Sequence, residues 1–129
     1  MEYLYFLANA SLTLRLVEYL HSQARESITF ITVIHQIDGW IVRVKMNSSV
    51  EKKKEGDFRA FINELGFPYT PTLQQKMALL SLEMGDKPIK VMRRFQIAVV
   101  SHGTPDKKDI EAFRQKFTEG LGFCPETLA

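Results

Sequence analysis

The chain has 129 residues, of which 45% are hydrophobic and 25% are charged, which is the composition of one ordinary globular domain. We therefore treat residues 1–129 as a single domain and exclude disordered, fibrous and disulfide-stapled proteins. The 17 lysine and arginine side chains against 15 acidic ones leave a formal net charge of +2. This excess is too small to indicate a general affinity for polyanions.

Cysteine content and hydropathy predict a cytoplasmic location. The single cysteine, Cys124, has no partner for an intrachain disulfide, which favours a reducing compartment. The apolar run near the N-terminus is too short for a signal peptide and follows an acidic residue. No stretch reaches the roughly 18 apolar residues that a membrane span needs, so no membrane partner is expected.

The first two elements are predicted to be a strand and a helix. Residues 3–7 read as a strand, although they can also extend the helix that follows. Residues 12–24 form an amphipathic helix, with Asn9 or Ser11 as its N-cap. The apolar face of this helix comprises Leu16, Val17, Leu20 and Ala24.

Residues 27–47 predict a β-hairpin centred on Asp38-Gly39, a pair typical of a type I′ turn. That turn pairs Ile37 with Trp40 and gathers one almost wholly apolar face. Further pairs on that face are His35 with Val42, Val33 with Val44 and Ile31 with Met46. The opposite face is mixed, and it carries Phe30, Thr32, Ile34, Gln36, Ile41, Arg43 and Lys45.

A second amphipathic helix follows, with capping-box spacing in residues 48–51 and an apolar face of Phe58, Phe61, Ile62 and Leu65. Its end predicts a left-handed Gly66, with Phe67 folded back on Ile62. Residues 117–123 repeat this pattern around Gly122. The match indicates either one helix-stop signal used twice or a duplicated strand-helix half.

Three elements remain. Residues 72–84 predict a helix that runs through Met77, Leu80 and Met84, and residues 92–101 predict a strand by their alternation. The last helix starts at Thr104-Pro105-Asp106 with a cap and a proline in its first turn. Its apolar face comprises Ile110, Phe113, Phe117 and Leu121.

This order of elements predicts an α+β domain with a mainly antiparallel sheet of about four strands and helices on one face. It resembles a ferredoxin-like sandwich with an extra inserted helix and a terminal one. If residues 3–7 are helical, the sheet has three strands and a profilin-like arrangement fits better.

Metal and catalytic chemistry find little support in the residue pattern. The three histidines lie far apart and Cys124 stands alone, so neither a metal nor a cofactor is predicted. Ser101 and His102 are neighbours on a predicted strand and point to opposite faces unless the strand has ended. The helix start after Gly103 can hold an anion, but Pro105 removes one donor. An enzyme that uses the His102 loop therefore remains only an alternative.

Basic residues concentrate in residues 67–101, which hold five basic and two acidic side chains. If residues 92–101 pair with the hairpin, Arg94 and Gln96 join the mixed face beside Phe30, Arg43 and Lys45. Cations and aromatic rings on an open sheet are typical of single-stranded nucleic-acid binding. The same half-apolar face is equally suited to pairing with a second copy of the chain.

The sequence thus favours a non-enzymatic interaction or regulatory domain that self-associates through the open sheet face or the Phe/Met-rich helices. Another protein is the other possible partner. The first alternative is nucleic-acid binding through Arg43, Lys45, Arg93 and Arg94. The second alternative is a small-molecule enzyme. The candidate binding residues are Phe30, Arg43, Lys45, Arg93, Arg94 and His102.

Overall fold

The computed structural model describes residues 2–47 and 51–129, which form one five-stranded antiparallel sheet and five α-helices. The strands are β1 (Glu2–Leu7), β2 (Ile28–Gln36), β3 (Gly39–Met46), β4 (Gly66–Pro68) and β5 (Ala98–Gly103). The helices are α1 (Ala10–Gln23), α2 (Lys52–Leu65), α3 (Leu73–Glu83), α4 (Pro88–Phe95) and α5 (Lys107–Leu121). The capping box expected in residues 48–51 includes Ser48 and Ser49, which lie outside the described residues.

The strand order is β4-β1-β3-β2-β5. Its first four strands, with α1 and α2, follow the β-α-β-β-α-β arrangement of ferredoxin-like domains. The predicted α+β class and antiparallel sheet are confirmed, and the N-terminal segment is a strand. The sheet has five strands and not four. A short strand, β4, pairs with β1 at one edge, and β5 pairs with β2 at the other edge.

One face of the sheet carries the main hydrophobic core, and we call it the first face. Val33, Val42 and Val44 point into this core from the two central strands. The helices α1, α2 and α5 cover it, with Leu16 and Ile62 among their fully buried side chains. This layer is the one that the apolar periodicity of the sequence predicts.

The other face, which we call the second face, is covered as well. Leu79 of α3 packs on Ile34 and Ile41 of the sheet, while Val91 of α4 packs with Val99 of β5. Helices therefore lie on both faces and not on one alone. A central strand that is apolar on both sides, as β3 is at Ile41 and Val42, requires cover on both sides.

The hairpin forms as predicted, but its register differs by two residues. His35 pairs with Trp40 and Val33 with Val42, so the loop consists of Ile37 and Asp38. Because a shift of two keeps every side chain on its face, the apolar face is the predicted one. Gly39 has no positive φ. It is needed for space, since a Cβ there would lie 2.3 Å from Cζ of Phe6.

Gly66 does not take the predicted left-handed conformation. Its φ of −164° is extended, and α2 runs directly into β4. Phe67 accordingly packs on Phe6 instead of folding back on Ile62. Gly122 is left-handed, with φ of 76°, so the two similar endings have different structures. A Cβ on Gly66 would lie 2.2 Å from the Phe6 carbonyl oxygen, which explains why a glycine stands here.

Residues 92–101 are not one strand. Pro88 starts the helix α4, which is favourable because proline is preset for the first helical turn. The chain leaves α4 through Gln96, whose φ of 54° is left-handed, and enters β5 only at Ala98. The first residues of the predicted strand, 92–95, therefore belong to the helix α4. The buried side chain of this helix is Val91.

The helix caps and faces agree in part with the sequence. Asn9 caps α1 through the Leu12 amide, as predicted, whereas α5 is capped by Asp106 and not by Thr104. Ile110 is fully buried, but Phe117 and Leu121 are partly exposed, so the predicted apolar face of α5 is covered only at its start.

We expect Gly66→Ala to lower the free energy of unfolding by about 2 kcal/mol, because its methyl group meets the backbone of β1. The matched control is Gly56→Ala, which lies inside α2 with no atom within 4 Å of the added Cβ. This control should stabilise the fold by roughly 0.5–1 kcal/mol. Urea unfolding measures both changes, and equal effects of the two substitutions would contradict this packing.

Candidate functional site

A charged cluster lies between the second face of the sheet and α3. We call it the Arg43 cluster, and it is built around one guanidinium group on the central strand β3. Its members are Glu2, Phe30, Thr32, Arg43, Lys45, Glu83 and His102.

Arg43 is buried, and its side chain is only 9% exposed. Its Nε donates to Glu2 Oε1 at 2.5 Å and one terminal nitrogen donates to Glu83 Oε2 at 3.0 Å. The other terminal nitrogen lies 3.4 Å from the Leu79 carbonyl oxygen of α3. Burial disfavours the charged form, but the bonds to Glu2 and Glu83 outweigh it and raise the pKa of Arg43.

Glu83 joins α3 to the sheet. Glu83 is the last residue of α3, and its carboxylate accepts hydrogen bonds from both Arg43 and Lys45 of β3. The hydrogen bond from Lys45, followed by that from Arg43, lowers the pKa of the Glu83 carboxyl below its ordinary value. The helix is therefore held on the sheet by charge as well as by the packing of Leu79.

The ring of Phe30 contacts the cations of the cluster. The Cζ of Arg43 lies 5.2 Å from the ring centroid and Nζ of Lys45 lies 5.7 Å from it, which are cation–π distances. The His102 ring lies 5.1 Å away. Phe30 is itself buried, so its ring face is occupied within the chain and not open to a ligand.

His102 reaches the second face because β5 contains a β-bulge. Val33 pairs with Ser101 and Ile34 with Val99, so Val100 is the extra residue. As a result His102 Nδ1 lies 2.6 Å from Thr32 Oγ1. Burial, followed by the charge of Arg43, lowers the pKa of His102.

Ser101 points away from His102. It donates to Asp109 of α5 on the opposite side of the sheet, at 3.1 Å. The two side chains therefore cannot act as a catalytic pair.

Other chemistry-bearing features are sparse in the part of the chain that the structure describes. No three His, Cys, Asp or Glu side chains come together there in a way that would hold a metal ion. None of the helices in those ranges has the length and apolar character to cross a membrane. A shallow cavity of about 480 Å³ at the hairpin end is mainly apolar, with His35, Ile37 and Phe117 in its wall.

The sequence placed Arg43, Lys45 and Phe30 on one open face with Arg94 and Gln96. The structure brings the first three together, but they are buried or half-buried under α3. Arg93 and Arg94 lie on α4 and are exposed, away from the sheet. The predicted basic and aromatic sheet face is therefore not formed.

Glu2 and Glu83 were not recognised as members of this site. Their signal is indirect, because a cation in the middle of a buried strand requires acidic partners. Glu83 is the only acidic side chain in α3, a helix otherwise composed of apolar and uncharged polar residues with one lysine.

The outer face of α3 carries four exposed apolar side chains. We call it the α3 stripe, and it consists of residues spaced by four, three and four positions. They are Leu73, Met77, Leu80 and Met84, with exposed fractions of 74%, 51%, 55% and 77%. The sequence predicted this helix, but its buried side includes polar residues. Gln75 bonds to Tyr69 and Thr72, and Ser81 bonds to Asp86.

A basic surface adjoins the stripe on α4 and its N-cap. We call it the α4 basic cluster, and its four side chains are all exposed. They are Lys87, Lys90, Arg93 and Arg94. In the described ranges none of the four forms an ion pair, in contrast to Arg43, Lys45 and Arg59.

We expect Arg43→Met to lower the free energy of unfolding by about 3 kcal/mol, since it leaves Glu83 and the Leu79 carbonyl without their buried donor. The control is Arg59→Met, which breaks the exposed pair with Glu55 and should leave the urea midpoint nearly unchanged. Equal losses in the two variants would contradict a structural role for the cluster.

Two histidines, the buried His35 and the half-buried His102, predict a loss of stability in mild acid. Burial lowers the pKa of both His35 and His102 from the ordinary 6.5. The folded state therefore binds fewer protons than the unfolded chain between the folded pKa and 6.5. Their contribution to stability is complete above about pH 6.5 and is lost as the pH falls through that range.

Urea midpoints measured from about pH 7.5 to pH 5 test this expectation. The dependence of the urea midpoint on pH should become weaker in a variant that combines His35→Gln with His102→Gln. It should persist in His21→Gln, since His21 makes only an exposed contact with Arg25. A slope that His21→Gln removes and the double variant keeps would refute the assignment.

Comparisons of the chain with protein-family models, with curated proteins and with solved structures give no significant match. A functional assignment therefore rests on the geometry of these residues alone. Two features remain accessible on the helices that cover the second face. They are the α3 stripe and the α4 basic cluster.

Proposed function

We propose that this domain is a non-enzymatic protein-interaction module that docks a helix of a partner protein along the α3 stripe. The observation that carries the proposal is the spacing of the four exposed side chains, which matches successive d, a, d and a positions of a heptad. Single exposed apolar residues are common on soluble proteins. A continuous stripe at heptad spacing is typical of a helix that packs against another helix.

The stripe is presented on a fixed support. The inner side of α3 is tied to the sheet by Glu83 and packed through Leu79, and its N-terminus has a complete capping box of Thr72 and Gln75. A partner helix therefore meets a surface that is already ordered, which reduces the entropic cost of binding. With 11 residues, α3 is about 16 Å long, or three turns.

The size of the stripe favours a weak and reversible complex. A standard interface covers about 800 Å² on each partner, and three turns of one helix provide less than that. We therefore expect a Kd of about 10–100 μM for a helix that contacts the stripe alone.

Self-association stays a prediction, but the surface expected for it is occupied by α3 of the same chain. On this side of the molecule, a second copy would meet the α3 stripe instead of the sheet. Residues 73–95 hold five basic and two acidic side chains, so two identical surfaces here carry like charge. Like charge disfavours pairing of identical surfaces, and this supports a different protein as the partner.

The other two functions have weaker support. Single-stranded nucleic acid stacks its bases on exposed aromatic rings, and the apolar residues next to the α4 basic cluster, Met84 and Ile89, are not aromatic. An enzymatic role for His102 lacks the neighbouring nucleophile, because Ser101 points to the opposite side of the sheet and bonds to Asp109. We propose neither function.

The proposal is tested with a labelled model peptide of about three heptads that has Leu at every a and d position and equal numbers of Glu and Lys elsewhere. We expect saturable binding by fluorescence anisotropy. Met77→Ser combined with Leu80→Ser should weaken it roughly tenfold or more, because two apolar contacts are lost.

The matched control combines Ile37→Ser with Phe123→Ser, which removes two apolar side chains elsewhere that are more exposed than Met77 and Leu80. It should bind like the unaltered protein, and an equal loss in this control would overturn the proposal. Sedimentation of the protein alone is the second arm. A dimer that the Met77 and Leu80 changes abolish would identify a second copy as the occupant.

A further inference from the structure

We propose that the partner helix is acidic on the side that faces α4, so that the α3 stripe and the α4 basic cluster form one docking surface. This inference rests on the proposed function, and it adds the charge of the partner. Three observations support it: the contiguity of the two surfaces, the unpaired state of the cations and the aliphatic nature of their apolar neighbours.

The two surfaces are contiguous. Met84, the last residue of the stripe, is separated from Lys87 only by the turn of Gly85 and Asp86. Gly85 takes a left-handed φ of 101°, and the Asp86 amide donates to the Ser81 carbonyl oxygen, which folds α4 back beside α3.

The α3–α4 pair is held together along its length. Val91 of α4 packs on Ala78 and Leu82 of α3. Gln74 at the start of α3 donates to the Phe95 carbonyl oxygen at the end of α4. A ligand that lies along α3 therefore meets α4 in a fixed position at its side.

Among the described residues the four side chains of the α4 basic cluster form no ion pair, and in this they resemble most of the lysine and arginine side chains there. Arg43 and Lys45 are paired with Glu83, and Arg59 is paired with Glu55. The α4 basic cluster has only Asp86 close to Lys90 and Arg94, at the rim of a small cavity.

Arg93 and Arg94 lie in the last turn of α4, where the helix dipole favours positive charge, but the charges at the start of the helix are unfavourable. Lys87 and Lys90 stand at the N-terminal end of the helix, where the helix dipole favours negative charge. Lys90 also has Arg93 and Arg94 at the i+3 and i+4 positions, where like charges repel. Carboxylates of a bound partner would relieve both effects.

The neighbouring apolar side chains select the class of partner. Met84 and Ile89, both more than half exposed, are aliphatic or thioether groups that pack on apolar helix faces. Phe95 is partly buried and packs against the cluster that includes Ala78 and Val99. A helix with one apolar side and adjacent glutamate or aspartate residues matches this surface better than a nucleic acid does.

The test compares two model peptides with the same Leu positions, one charge-balanced and one with Glu in place of every Lys. At about 50 mM salt the acidic peptide should bind the unaltered protein at least tenfold more tightly. This advantage should shrink to about threefold or less at about 500 mM salt, where exposed charges are screened.

Charge-reversal variants locate the effect. Arg93→Glu combined with Arg94→Glu should abolish the preference for the acidic peptide while leaving the charge-balanced one bound. Lys107→Glu combined with Lys108→Glu is the control, because it changes the net charge equally on the exposed start of α5 and should keep the preference. Urea unfolding of each variant verifies that the fold is intact, and Arg93→Gln with Arg94→Gln provides a milder form.

The outcomes separate the two proposals. Equal binding of both peptides overturns the acidic partner and leaves the docking function standing. Failure of both peptides to bind overturns the docking function itself. Tighter binding of a mixed single-stranded oligonucleotide, lost in the Arg93 and Arg94 variant, replaces the acidic helix with nucleic acid. A preference that the Lys107 and Lys108 control also removes shows only a general charge effect and overturns the inference.

Discussion

The bonds that join Arg43 on the sheet to Glu83 on α3 determine what this molecule can expose. A guanidinium on the central strand cannot be buried without acceptors, and α3 supplies a carboxylate and a backbone carbonyl for it. Once α3 is placed by these bonds, the rings and cations of the second face are enclosed. The apolar residues on the opposite side of α3 are then left outside, and they become the accessible surface.

The fold accommodates this layer through its connections. In a ferredoxin-like unit the chain ends after the fourth strand, but here it continues from β4 through α3 and α4 and returns to the far edge of the sheet as β5. The excursion crosses the second face and covers it with α3 and α4. A surface suited to sheet pairing is thereby replaced by a surface suited to helix pairing.

Local signals in the sequence were sufficient for the elements near the N-terminus. The Asn9 cap, the hairpin around Asp38 and the apolar face of α1 all depend on short-range periodicity, which is readable from residue types. The predictions were wrong where a distant contact decides. Gly66 is required by the backbone of Phe6, and the helix that contains Val91 is fixed by packing on α3. Neither contact has a local signature. The sequence pattern identified the cationic and aromatic members of the Arg43 cluster. It did not identify the acidic partners Glu2 and Glu83, because each lies about 40 residues from Arg43 in sequence.

The most direct test of this account is a double-mutant cycle between Arg43 and Glu83, with Arg43→Met, Glu83→Gln and the combined variant compared by urea unfolding. If the two side chains join α3 to the sheet, the cycle should give a coupling energy above about 1 kcal/mol, because after the first substitution the second one removes only the remaining bond, that of Glu83 with Lys45 or of Arg43 with Glu2. A coupling energy below about 0.3 kcal/mol would mean that the two losses are independent. That result would contradict the placement of α3 on which the docking surface depends.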